Sequence, residues 1–146
     1  MGSRTKARAR ALQVLYAWEL RGGDEPLRVV ERELVMEEAP SPDPEVRRYA
    51  TRLLDAIEED GFKVDARLEV HATNWRLSRM AAVDRNILRI AAVEMLHIDD
   101  VPLRVSVQEA IRLAEWFGTE ESRRFVNGVL DALLHELEPK RRSDAR

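Results

Sequence analysis

The feature that most constrains the fold is a helical period among the apolar residues near the C-terminal end. These residues recur every three or four positions: Val126, Val129, Leu130, Leu133 and Leu137. Such spacing is typical of the buried face of an α-helix. The pair Asn127-Gly128 inside this run would on local rules indicate a hairpin turn. Because the apolar spacing continues through the pair, we predict one helix, from Glu120 to about Leu137.

The glycines of this region predict two further features. A glycine inside a helix costs about 1 kcal/mol relative to alanine, so Gly128 indicates a close crossing with a neighbouring helix. Gly118 is expected to end the preceding helix with a positive φ. Thr119 can then cap the last helix through its side-chain oxygen. Pro139 is expected to end that helix.

In the remaining chain, apolar and polar residues do not alternate convincingly as they would in a strand, and the residues typical of helix ends fit helices throughout. We predict helices over about 5–20, over a short stretch with Leu27, Val30 and Leu34, from Asp43-Pro44 to Gly61, over about 63–75, over 82–97, and from a capping box of Ser106 and Glu109. A linker is expected at 39–42. The fold class is therefore all-α, with about seven helices in a single domain over 1–146. Residues 1–4 and 138–146 are expected to be flexible basic ends.

The first predicted helix separates a buried stripe from an exposed side. The stripe contains Ala7, Ala11, Val14, Leu15 and Trp18. Arg8 and Arg10 flank this stripe and are expected outside it, whereas Tyr16 and Leu20 point away from it. An exposed tyrosine beside a leucine is a modest sign of a docking surface. In later helices we expect Trp75 and Phe117 to face inward.

Composition excludes several classes of function. The chain has no cysteine, which excludes disulfides and thiolate metal sites. His71, His97 and His135 lack metal-ligand spacing, and we find no phosphate-binding loop and no nucleophile motif. We therefore expect no active site, no metal and no cofactor. The sequence contains neither an apolar run of about 18 residues nor a secretory signal, which favours a cytoplasmic protein without a membrane span.

Charge is unevenly distributed along the chain. The net charge is only −3, yet Arg4, Lys6, Arg8 and Arg10 precede the first acidic residue, Glu19. A second basic cluster lies over 140–146. A basic start on a mildly acidic body suits nucleic-acid binding, but it equally suits a solubilising tail.

Several stretches together resemble the NusB family of transcription antitermination factors. They are Ala11 to Leu20 after a basic start, Asn74 to Leu77, Val83 to Arg89 with Glu94, Asp100 to Pro102, Glu109 to Ala114, Phe117-Gly118, and Phe125 to Asp131. They occur in the family's order and cover nearly the whole chain except 22–45. The resemblance implies a helical architecture in two packed halves.

The resemblance also implies a function that consists of binding alone. Family members pair with the ribosomal protein NusE, bind single-stranded boxA RNA in nascent ribosomal RNA, and join other Nus factors on RNA polymerase to suppress termination. The residues here that would contact RNA are Lys6, Arg8, Arg10, Arg89, Arg123, Arg124 and Phe125. The residues that would contact the protein partner are Tyr16, Leu20 and Asp84. Glu121 would oppose phosphate and restrain affinity.

Four alternatives remain open from the sequence. Phe125 could be a core residue and not a stacking platform. The chain could be a helical adaptor that binds only protein, or a detached NusB-like domain of an RNA methyltransferase, although 146 residues leave no room for the catalytic domain. Some family members self-associate, so a homodimer that masks the basic surface is also possible.

Overall fold

The computed structural model describes residues 2–37, 43–72 and 76–144. In these residues the chain forms seven α-helices and one single-turn 3-10 helix at Leu77–Arg79. The α-helices are α1 (Ser3–Leu20), α2 (Leu27–Glu37), α3 (Pro44–Asp60), α4 (Val64–His71), α5 (Ala82–His97), α6 (Leu103–Phe117) and α7 (Glu120–Asp144). The chain divides into two compact units, residues 1–62 and 63–146. The predicted all-α class with about seven helices is confirmed.

The first unit consists of α1, α2 and α3, which all pack on one another. Helix α3 follows the sequence signals closely: Pro44 occupies its first position, and the Asp43 carboxylate accepts a 2.8 Å hydrogen bond from the Glu45 N–H. It ends at Gly61, whose φ of 63° closes the last turn. Trp18 is half-buried and stacks on Phe62 with 5.0 Å between the ring centroids.

The second unit is built around α5, which packs against α4, α6 and α7. Every residue from 86 to 95 on α5 is buried, so this helix has no solvent-facing side over that length. Ser106 of α6 donates a 2.6 Å hydrogen bond to Glu94 of α5, and both residues are almost fully buried. A buried carboxylate needs such donors, because an unpaired charge in the interior is costly.

The turn between α6 and α7 depends on a close approach at Gly118. Its backbone is extended (φ −101°, ψ −165°), so the predicted positive φ is wrong. The glycine is instead required by space, since a Cβ there would lie 2.7 Å from Ser122 Cβ and 2.9 Å from the Ala114 carbonyl oxygen. The cap at Thr119 is confirmed: its N–H donates to Ser122 Oγ at 3.0 Å, and the Ser122 N–H returns a bond to Thr119 Oγ1 at 3.4 Å.

Several helix-end predictions are wrong. Helix α6 begins at Leu103 after Pro102, so Ser106 lies inside the helix and bonds Glu94 in place of a capping partner. Helix α4 ends at His71 and not near residue 75. Helix α7 runs through Pro139 to Asp144, so the proline lies inside the helix and does not end it. The chain is thus helical from Ser3 and over 138–144. The flexibility expected of these ends stays a prediction.

The predicted close crossing at Gly128 is also wrong. Gly128 is exposed, and a Cβ built on it would meet no atom within 4 Å. Phe117, predicted to face inward, is 48% exposed. The predicted linker over 39–42, the predicted burial of Trp75 and the last two residues of the basic C-terminal cluster lie outside the described residues. No helix in the described ranges is both long and apolar enough to cross a membrane.

Candidate nucleic-acid interface

Helix α1 exposes one narrow face along an otherwise mostly buried length. The residues of this face are Lys6, Ala9, Gln13, Tyr16 and Leu20, spaced alternately by three and four positions. Ala9 is partly exposed and the other four are exposed, with Tyr16 at 43% and Leu20 at 74%. The predicted outward orientation of Tyr16 and Leu20 is confirmed. We call these five residues the α1 face; it spans about 20 Å at 1.5 Å per residue.

Arg8 and Arg10 do not belong to the α1 face. They are 3% and 6% exposed, so the prediction that they lie outside the buried part of the helix is wrong. The Arg8 guanidinium lies 5.6 Å from the centre of the Tyr49 ring on α3, and that of Arg4 lies 4.4 Å from it. Cations at such distances are attracted to the electron-rich ring face, which fixes the start of α1 on α3.

The start of α7 brings the other predicted RNA residues together. Arg123 and Arg124 are exposed, Phe125 is half-buried, and Glu121 is exposed in the first turn. Arg123 forms a 3.1 Å ion pair with Glu115 of α6. Such exposed pairs contribute under about 1 kcal/mol, so a stronger anion could displace Glu115. Arg124 has no ion-pair partner among the described residues.

Arg89 has a different environment from the other candidate cations. Its guanidinium holds Asp65 through two hydrogen bonds of 2.9 and 2.8 Å, and it donates a third to Asn86 at 3.0 Å. The residue is only 8% exposed. This geometry ties α4 to α5 and leaves little of the guanidinium accessible. The RNA contact expected of Arg89 stays a prediction.

Asp84, the remaining predicted contact residue, lies in the first turn of α5, where the helix dipole favours negative charge. Its Oδ1 is shielded from solvent and has no hydrogen-bond partner within the described chain. A shielded acceptor of this kind gains free energy when a donor reaches it.

The sequence patterns missed an exposed aromatic pair at the end of α6. Trp116 and Phe117 are 45% and 48% exposed and meet edge to face, with centroids 6.5 Å apart. Exposed rings of this kind are suited to stacking on unpaired bases. The exposure of Trp116 could have been predicted, because its position lies outside the apolar stripe of α6. Phe117 belongs to that stripe by spacing, so its exposure could not.

The comparison with protein families decides the identity of this chain. The sequence model described as the NusB family matches residues 5–135. The chain belongs to the NusB family. It is 38% identical over 138 residues to the transcription antitermination protein NusB of Chloroherpeton thalassium, covering 94% of this chain and 64% of that relative. It is 45% identical to the NusB of Sorangium cellulosum, covering 94% of this chain and 95% of the relative.

Solved NusB structures share the fold. T. maritima NusB superposes with a TM-score of 0.84 at 33% identity, covering 97% of this chain and 96% of that one. NusB from the crystal structure of antitermination factors NusB and NusE in complex with dsRNA superposes with a TM-score of 0.81 at 29% identity, covering 93% and 98%. Both sequence relatives are named transcription antitermination proteins.

Proposed function

We propose that this NusB-family chain pairs with NusE, that the pair binds single-stranded boxA RNA in nascent ribosomal RNA, and that it then suppresses termination together with other Nus factors on RNA polymerase. The observation that carries the proposal is the α1 face. A mostly buried helix here exposes a cation, Lys6, at one end and a tyrosine and leucine at the other. The Lys6 end is suited to binding RNA phosphate, and the Tyr16–Leu20 end is suited to contacting a protein surface.

The RNA-contacting part of the proposal uses exposed cations and rings. Lys6, Arg123 and Arg124 are exposed and can reach phosphates, and arginine also offers a planar fork of donors. Phe125 offers part of a ring for stacking an unpaired base, as single-strand binders require. Arg8 and Arg10 would act through their charge at the start of α1, since their side chains are buried.

The partner-contacting part uses Tyr16, Leu20 and Asp84. Tyrosine is among the residues that most often anchor the centre of protein interfaces, and Leu20, one turn away, extends the apolar surface beside it. The shielded Oδ1 of Asp84 would receive a donor from the partner. Glu121 lies in the same helix turn as Arg123 and Arg124 and opposes phosphate, so we infer that it restrains RNA affinity.

The same proposal places the protein in the cytoplasm, where nascent ribosomal RNA is made in bacteria. A second copy of the chain could cover the α1 face, in which case dimerisation would compete with NusE. Measuring the molar mass in solution, with and without NusE, separates these states.

The experiment that tests the proposal is an assembly assay with purified components. A fluorescent boxA strand and a scrambled strand are titrated with this chain alone, NusE alone and the two together, and the anisotropy is followed. We expect the pair to bind boxA at least tenfold more tightly than either protein, and more tightly than the scrambled strand. Binding of NusE without any gain for RNA would support the protein-only adaptor instead.

A further inference from the structure

A cleft lies between α2 and α3, and its described lining includes none of the residues assigned to boxA RNA above. It has a volume of about 580 Å³. Sites for small molecules typically measure about 300 to 1,000 Å³, so this cleft is large enough for one nucleotide. Its apolar wall includes Val35, Pro44 and the exposed Met36. The cleft lies entirely within the first unit, whose two helices α2 and α3 pack on each other.

A buried carboxylate with an unused oxygen lines this cleft. Glu31 is only 8% exposed, and one of its oxygens accepts a hydrogen bond from the Thr51 hydroxyl. The other oxygen, Oε2, is shielded from solvent and has no hydrogen-bond partner among the described residues. Buried carboxylate oxygens are almost always paired, because leaving one unpaired costs more than about 1–3 kcal/mol. The carboxylate therefore gains a hydrogen bond when Glu31 turns Oε2 toward an N–H or O–H donor bound in the cleft.

Four arginines line the same cleft as Glu31: Arg28, Arg32, Arg47 and Arg48. Arg28 is already held by Asp55 through bonds of 3.0 and 2.7 Å, and this contact raises the pKa of the Arg28 guanidinium above its ordinary value. The other three are exposed and have no ion-pair partner in the parts of the chain that the structure describes. Three uncommitted guanidinium groups around one cleft favour a ligand with a phosphate.

We propose that the α2–α3 cleft binds a nucleotide, that Glu31 then turns Oε2 into the cleft to accept an N–H of the base, and that Arg32, Arg47 and Arg48 hold the phosphate. The apolar wall would contact the base, and the guanidinium forks would hold the phosphate. A simple anion such as inorganic phosphate satisfies the arginines but leaves Glu31 without a donor. A neutral donor satisfies Glu31 but not the arginines. A nucleotide carries both groups, either free in solution or as one residue of a single-stranded RNA.

This inference goes beyond the boxA function and is tested without NusE, so either can fail alone. The probes are guanosine 5′-monophosphate, ribose 5-phosphate and a short single-stranded RNA, each titrated into the full ¹⁵N-labelled chain and followed by NMR. We expect the amide signals of α2 and α3 to move with the nucleotide, and ribose 5-phosphate to bind at least tenfold more weakly. If the RNA moves the same signals at lower concentration than the free nucleotide, the ligand of the cleft is a nucleotide of RNA. If the free nucleotide moves them at lower concentration, the ligand is a free nucleotide.

Two variants and one control assign the contacts. Glu31→Gln places an amide donor or a weaker acceptor in the cleft, so it should weaken nucleotide binding about tenfold and leave ribose 5-phosphate unchanged. The double variant Arg47→Ala/Arg48→Ala should weaken both probes. Arg52→Ala is the matched control, because Arg52 is exposed on the same helix but does not line the cleft. The proposal is overturned if no amide of α2 or α3 responds to the nucleotide, if both small probes bind equally, or if Glu31→Gln changes nothing.

Discussion

Two glycines of the family signature should respond in opposite directions to the same substitution. At Gly118 an added Cβ would meet Ser122 Oγ at 2.6 Å and the Ala114 carbonyl oxygen at 2.9 Å. The second of these is backbone, so relief requires moving the end of α6. At Gly128 an added Cβ would meet nothing within 4 Å, and the residue lies inside α7.

The magnitudes follow from these distances. Overpacking of this kind costs about 1–3 kcal/mol, and any loss of the Thr119–Ser122 cap adds about 1 kcal/mol. Restricting the unfolded chain offsets about 0.4–1 kcal/mol of that cost. Gly118→Ala should therefore lower the free energy of unfolding by about 1–3 kcal/mol. Gly128→Ala should raise it by up to about 1 kcal/mol, the difference in helix propensity.

Urea denaturation followed by circular dichroism measures both variants against the wild type. For a chain of this size each kcal/mol should shift Tm by roughly 2–4 °C, so thermal melting provides a second readout. Stabilities that change in the same direction for both variants would refute the steric argument. A destabilised Gly128→Ala protein would revive the close crossing that the structure contradicts.

Three further variants test individual contacts. Arg89→Ala should cost about 2–4 kcal/mol because it leaves Asp65 without its bidentate partner; a stable variant that loses RNA binding in the anisotropy assay would contradict the structural role of Arg89. Tyr16→Ala should weaken NusE binding by about 2 kcal/mol in calorimetry with little change in Tm. Gln13→Ala, on the same face, should change neither NusE binding nor Tm. A large loss of stability in Tyr16→Ala would mean that Tyr16 is a core residue. Glu136 accepts hydrogen bonds from His71 and Arg67, and chiefly the His71 bond lowers the pKa of Glu136 below its ordinary value of 4.5. Its ion pairs therefore stabilise the fold above about pH 4.5, and the stabilisation is lost as pH falls through the lowered pKa. Urea melts of Glu136→Gln from pH 3 to 7 should show a deficit below about 1 kcal/mol at neutral pH that disappears in acid; a deficit independent of pH would exclude the ionic explanation.

Local sequence signals were sufficient to predict a feature where all the residues that determine it belong to a single helix and its ends. Asp43, Pro44 and Gly61 set both ends of α3 because capping and positive φ depend only on neighbouring residues. The bounds of α5 also matched their prediction, from Ala82 to His97. The exposed side of α1 at Tyr16 and Leu20 followed from periodicity in the same way.

The errors arose where contacts distant in sequence decide the outcome. Ser106 has capping-box spacing with Glu109, but its partner is Glu94, twelve residues away on another helix. Arg8 sits beside the buried stripe, and only the position of Tyr49 on α3 accounts for its ring contact. Gly118 was correctly placed at a helix end for the wrong reason, because the close approach of Ser122 is invisible in one helix alone.

The α2–α3 cleft shows the same limit. Nothing in the sequence distinguishes Arg32, Arg47 and Arg48 from ordinary solvated cations, or Glu31 from the other acidic residues. Their convergence depends on the packing of α2 on α3, which no local pattern encodes.

The most direct test of the central claim is the salt dependence of boxA binding in the presence of NusE. Each phosphate contact on a single strand contributes about 0.7 to the slope of log affinity against log salt concentration. Replacing the exposed cations Lys6 and Arg124 by alanine should therefore weaken binding and make the slope shallower by about 1.4, with the fold intact. Unchanged affinity and slope in the folded double variant would contradict the account, and the α1 face would then serve protein binding alone.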